Sequence, residues 1–107
     1  MEAPTIEKIF DYEVNCINSE NNLQPAIERS KYWNTQANYW LTKSKDCKIP
    51  STIDLAKSYE MRRYYHITSA SLFHNKGLGK LTNMHLKLAQ ESENKHERIL
   101  RTKLNFF

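Results

Sequence analysis

Glycine is nearly absent from this chain. Only Gly77 and Gly79 occur among 107 residues, and they sit in one short stretch, against an average usage of about 7%. Hairpin turns draw on Gly and Asn-Gly or Asp-Gly pairs, which supply positive φ without steric cost. With three prolines and few β-branched runs as well, the chain lacks the material for a sheet meander. The expected fold is all-α, a small bundle of about four helices in a single domain over residues 1–107.

Helical periodicity divides the chain accordingly. Ile6, Ile9, Phe10, Val14 and Ile17 recur on one face after Pro4, with Thr5 placed to cap the first helix. The polar run Asn18 to Asn22 reads as the loop that ends it. Pro25 suits the first turn of a second helix, whose core face is Ile27, Ser30, Trp33, Ala37, Trp40 and Leu41. Thr42 to Pro50 reads as a basic connection. Ser51 is then a candidate N-cap, with Asp54 three residues on.

The stretch from Ser51 to Lys76 forms the third helix and ends at Gly77, a residue able to take the left-handed conformation after a helix. It has two faces. Met61, Tyr64, Tyr65, Thr68 and Leu72 form a core stripe, while Tyr59, Arg62, Arg63, His66, Ala70 and Phe73 form an exposed one. The last helix starts around Lys80 with Leu81, Met84, Leu86, Leu88 and Ala89. From Gln90 to Arg98 no apolar face remains, so that part is either an exposed shaft or a break. Ile99, Leu100, Leu104, Phe106 and Phe107 restore hydrophobicity at the end, which must dock on the chain's own core or on a partner.

Charge is unevenly spread. Residues 1–40 carry Lys8, Arg29 and Lys31 against six acids, a net −3, whereas residues 41–107 carry thirteen basic side chains against six acids, a net +7. A basic segment of this kind fits a polyanion such as nucleic acid, and it equally fits soluble lysine-rich helices. No run is apolar enough for a membrane span, and no secretory signal is evident. Cys16 and Cys47 lie in no spaced motif and read as reduced thiols of a cytoplasmic protein, with a disulfide as the alternative.

Catalytic and metal motifs are missing from the sequence. His66, His74, His85 and His96 include no i, i+4 pair, and neither cysteine has metal-ligand spacing to a histidine. Glu93 and His96 form one Glu-x-x-His, but di-iron bundles need a second copy and two further glutamates. Glu91 and Glu93 are two apart, so they do not face each other on a helix. There is no Gly-rich phosphate loop or nucleophile elbow. The expectation is a protein without enzymatic activity and without a cofactor.

What remains is a basic constellation. Arg62, Arg63 and His66 on the exposed face of the third helix are flanked by Tyr59 and Phe73, with Lys43, Lys45 and Lys48 before the helix and Lys76 and Lys80 after it. Arginine binds phosphate bidentately and stacks on bases, so such a surface would hold a nucleic-acid backbone in a salt-dependent way. The alternative is that Arg62 and Arg63 pair with Glu7, Asp11 and Glu13 of the first helix and only tie the bundle together. Tyr32-Trp33 and Tyr39-Trp40 form two pairs seven residues apart; the tryptophans read first as core anchors, and the pairs read second as a base-stacking platform.

The run from Ser58 to Tyr65, SYEMRRYY, resembles a polar-x-x-Leu-Arg-Lys-Phe-Tyr segment in the all-helical small subunits of CRISPR effector complexes. The match spans about ten residues, with methionine before the arginines and tyrosine where glutamine is often seen. The resemblance implies a non-catalytic subunit, present in several copies, whose Arg62 and Arg63 hold the guide–target duplex or displaced strand by its backbone. The competing expectation is a protein–protein adaptor or inhibitor that docks through its apolar C-terminal tail without contacting nucleic acid.

Overall fold

The computed structural model describes residues 4–46 and 52–105, with side chains through Thr102. It is all-α, with four helices: α1 (Ile6–Glu20), α2 (Gln24–Asp46), α3 (Thr52–Asn75) and α4 (Gly79–Asn105). The Ser51 cap, Lys48, Cys47, Phe106 and Phe107 lie outside the described residues, and so does the side chain of Leu104.

Local chemistry sets the helix ends. The Thr5 hydroxyl accepts from the Lys8 amide at 3.2 Å, which caps α1 as its sequence predicts. Helix α1 runs three residues into the expected loop and stops at Asn21, whose φ of 51° is left-handed. Asparagine tolerates that region better than most residues. The Asn22 side chain then accepts from the Gln24 amide at 3.0 Å and starts α2. Helix α2 continues to Asp46, so the first half of the expected connection is helical. At the other end of α3, Gly77 has φ 74°; its amide donates to the His74 carbonyl and the Leu78 amide donates to that of Phe73, both at 3.0 Å. This pair of bonds is a Schellman closure, and glycine meets it without Cβ strain.

Helix α3 is the hub. Helices α2 and α4 pack along most of it on different sides, and α1 covers a shorter part of a third side. Ile6 joins Ile67 and Ala89 in the apolar cluster, with Ile9, Phe10 and Leu86 against it, while Phe10 meets His74 edge-on at 5.6 Å. The N-terminal half of α1 therefore lies beside the middle of α3, and its later turns lie beside the C-terminal end.

The helix contacts are made mostly by small side chains. Ala26, Ser30, Ala37 and Ser44 are the buried residues of α2; Ala56, Ser58, Ser69, Ala70 and Ser71 are among those of α3, and Thr82, Ala89 and Ser92 are those among the described side chains of α4. Ser30, Ala37 and Ser44 repeat every seven residues, the spacing of a coiled-coil seam. Small residues there let the axes approach closely. The expected core stripe of α3 is corrected in part: only Thr68 of that set is fully buried, while Met61, Tyr64, Tyr65 and Leu72 are half-buried along its edges.

A seam of hydroxyls must satisfy its hydrogen bonds inside the protein, because a buried unpaired donor costs about 1–3 kcal/mol. Here Ser30 and Ser69 share a bond at 3.1 Å across the α2–α3 contact, and Ser58 donates to the Ala37 carbonyl at 2.8 Å. Thr68, Ser71 and Thr82 each donate to the carbonyl four residues earlier at 2.9 Å.

Candidate nucleic-acid interface

Arg62, Arg63 and His66 do not form an exposed basic face. Helix α4 lies against that side of α3, where Thr82, Ala89 and Ser92 bring it close. The Arg63 side chain is only 12% exposed and donates to the Glu93 carboxylate at 2.9 Å and to the Tyr64 hydroxyl at 3.2 Å. Its partner comes from α4, the helix neither sequence reading had considered. Arg29 of α2 takes the first helix instead, with Glu13 at 3.0 Å and Glu20 at 3.5 Å. The polar stretch 90–98 is an unbroken part of α4, with Ser92 buried and Glu93 and His96 half-buried against α3.

His66 also turns inward. Its Nδ1 lies 3.0 Å from Nδ1 of His85, so one imidazole N–H donates to the other ring's nitrogen. Phe73 stacks on His85 at 5.3 Å, and Tyr65 meets both rings. Burial, then the His85 charge, then Arg62 bring the His66 pKa down to about 4. Burial lowers that of His85 as well. The pair is neutral near pH 7, which makes it poor at attracting phosphate. Among the described residues no group of three or more His, Cys, Asp or Glu side chains converges as a metal site would require. No described helix is long and apolar enough to cross a membrane.

The remaining sequence-predicted residues fall apart in space. Lys43 and Lys45 are exposed on the last turns of α2, whereas Lys76 and Lys80 are exposed around the Gly77 turn. Because α3 runs from one end to the other, the two pairs are separated by roughly its length, ~36 Å for 24 residues. Arg62 is half-exposed on the edge of α3, and Tyr59 sits at the α4 contact with Lys95 5.6 Å above its ring. Among the described residues these side chains therefore do not form one compact patch.

A different arrangement emerges at the α2 end. Lys43 lies 4.8 Å from the centre of the Trp40 ring, and Lys57 reaches toward the same ring from α3 at 5.7 Å. Elsewhere Arg29 and Arg101 take carboxylates, and Arg63 both pairs with Glu93 and lies 4.9 Å from the centre of the Tyr64 ring. Tyr39 meets Trp40 edge-on at 5.2 Å, and one repeat earlier Tyr32 meets Trp33 at 5.1 Å. Trp33 in turn lies 4.9 Å from Tyr64 of α3. The tryptophans are half-buried anchors, as their first reading held, but Tyr32 and Tyr39 are each 55% exposed.

Sequence reasoning missed Lys57 because it lies on α3 and Trp40 on α2; only the antiparallel packing of the two helices brings them together. The chain matches no protein-family model, no characterised protein and no solved structure.

Proposed function

We propose that this chain is a non-catalytic helical subunit that binds nucleic-acid backbone within a larger assembly. The observation that supports this reading is the pair of exposed lysines over Trp40, with Lys45 nearby. A lysine–aromatic contact at an exposed site is worth about 0.5–1 kcal/mol, so the Lys57 ammonium group gives it up readily when a phosphate approaches. The resemblance of Ser58–Tyr65 to CRISPR small subunits points to the same class of partner. Its carried-over role now falls on Arg62 alone, since Arg63 is engaged by Glu93.

Binding to labelled DNA and RNA across a salt series tests the proposal. Affinity should fall steeply with salt, and Lys43→Ala with Lys57→Ala should weaken binding and flatten the salt slope by about one to two counterions. No binding at low salt, or binding that the double variant leaves unchanged, overturns it.

A second reading, a protein–protein adaptor, is favoured by a separate feature. Ile53, 61% exposed, lines an apolar groove with Ala56, Ile99 and Leu100 between the start of α3 and the later turns of α4. On this reading Ile53→Asp removes a protein partner that Lys43→Ala retains.

A further inference from the structure

We infer that the outer face of α2 is a track for single-stranded nucleic acid, with bases stacking on Tyr32 and Tyr39 and the backbone following Lys43. This deepens the proposed function and rests on it. The argument begins with register. Ser30, Ala37 and Ser44 turn one line of α2 toward α3, and the tyrosines project away from that line. They are seven residues apart, two turns of helix or ~10.5 Å, so both rings rise from one side. Lys43 follows Tyr39 by one turn, on the same outer side.

These tyrosines differ from ordinary surface aromatics in being braced. Each meets a tryptophan edge-on, Tyr32 at an interplanar angle of 66° and Tyr39 at 82°. Trp33 is held in turn by Tyr64 of α3, and Trp40 is half-buried, with Lys57 of α3 over its ring. An edge-on brace holds the ring's position while leaving a π-face open, so little side-chain freedom is lost when a base stacks there.

The geometry selects single strands. In a duplex each base is already stacked on its neighbours and cannot cover an aromatic ring, whereas a single strand offers both π-face and backbone. Stacking is tolerant of base identity, so DNA and RNA strands share the same chemistry here. The 2′-hydroxyl distinguishes their backbones.

The experiment measures anisotropy of oligo(dT), oligo(rU) and a duplex of equal length, at low and physiological salt, with intrinsic tryptophan fluorescence followed in parallel. Both strands should bind more tightly than the duplex and should change the tryptophan emission. Tyr32→Ala and Tyr39→Ala should each weaken strand binding by at least about five-fold, and Tyr39→Phe should keep it. Both positions are exposed, and unchanged thermal unfolding verifies that the variants fold. Equal binding of duplex and strand, unaffected by the tyrosine variants but lost with Lys43→Ala and Lys57→Ala, overturns the stacking track and leaves the backbone reading standing. No binding of any nucleic acid at low salt overturns both.

Discussion

The α4-facing side of α3 and the outer side of α2 exchange the roles that their compositions imply. The first carries Arg62, Arg63 and His66, the residues best suited to a polyanion, yet α4 covers much of it and its charges are spent internally. Arg63 is matched by Glu93, and His66 is held neutral against His85. The second carries tryptophans that read as core and are only half-buried, while Tyr32 and Tyr39 stand in solvent and serine and alanine fill the contact behind them. Composition identifies what a face could bind. Whether the face is free depends on which helix lies against it.

The sharpest way to break this comparison is Arg63→Ala. If Arg63 were a free binding residue, its loss would lower affinity and leave the fold alone. Because it matches a partly buried carboxylate, the variant should instead lose about 2–3 kcal/mol of stability. Thermal unfolding would register this as a fall of several degrees, and Glu93→Gln made on top of it should restore part of the loss.

A pH titration probes the same face next. His66 has a folded pKa of about 4, below its ordinary value of 6.5. The unfolded chain therefore binds more protons between those values, and stability rises with pH across that window. The contribution is complete above about pH 6.5 and is lost as pH falls toward 4. The loss is on the order of 1–2 kcal/mol once the ring's remaining solvent exposure is discounted. Chemical denaturation at a series of pH values should show the slope in the wild type, and His66→Phe should flatten it.

Gly77→Ala gives a smaller effect at the hinge between α3 and α4. Its φ of 74° is strained for any residue with a Cβ, although the space around it is open, so the expected cost is about 1 kcal/mol. A drop in the denaturation midpoint with unchanged denaturant dependence would fit. The smallest effect belongs to the α2 face: Tyr39→Ala should change stability by less than about 0.5 kcal/mol. A large loss there would mean that the ring belongs to the core, and the contrast between the two faces would collapse.

Much of this architecture could be read directly from the residues. Two glycines placed together fixed the fold class. Thr5 and Gly77 marked helix ends for reasons of local hydrogen bonding and backbone sterics, and the apolar face of α1 followed from its 3.6-residue period. The boundaries that slipped, at Asn18–Glu20 and Thr42–Asp46, are polar segments whose side chains permit either helix or loop.

The site was less legible. Ser30 follows the apolar period of α2, but Ser58, Ser69 and Ser92 look like surface residues in sequence, since an isolated serine carries no sign of burial, and only close helix approach makes them part of the seam. The Arg63–Glu93 pair spans thirty residues and the Lys57–Trp40 contact seventeen; no local pattern encodes either. Sequence by itself determined that the chain is helical, where most helices end and which half is basic, because these depend on each residue's own backbone and charge. Tertiary structure alone decided which basic and aromatic groups reach solvent, because that depends on the neighbour each helix meets across a contact only small side chains allow.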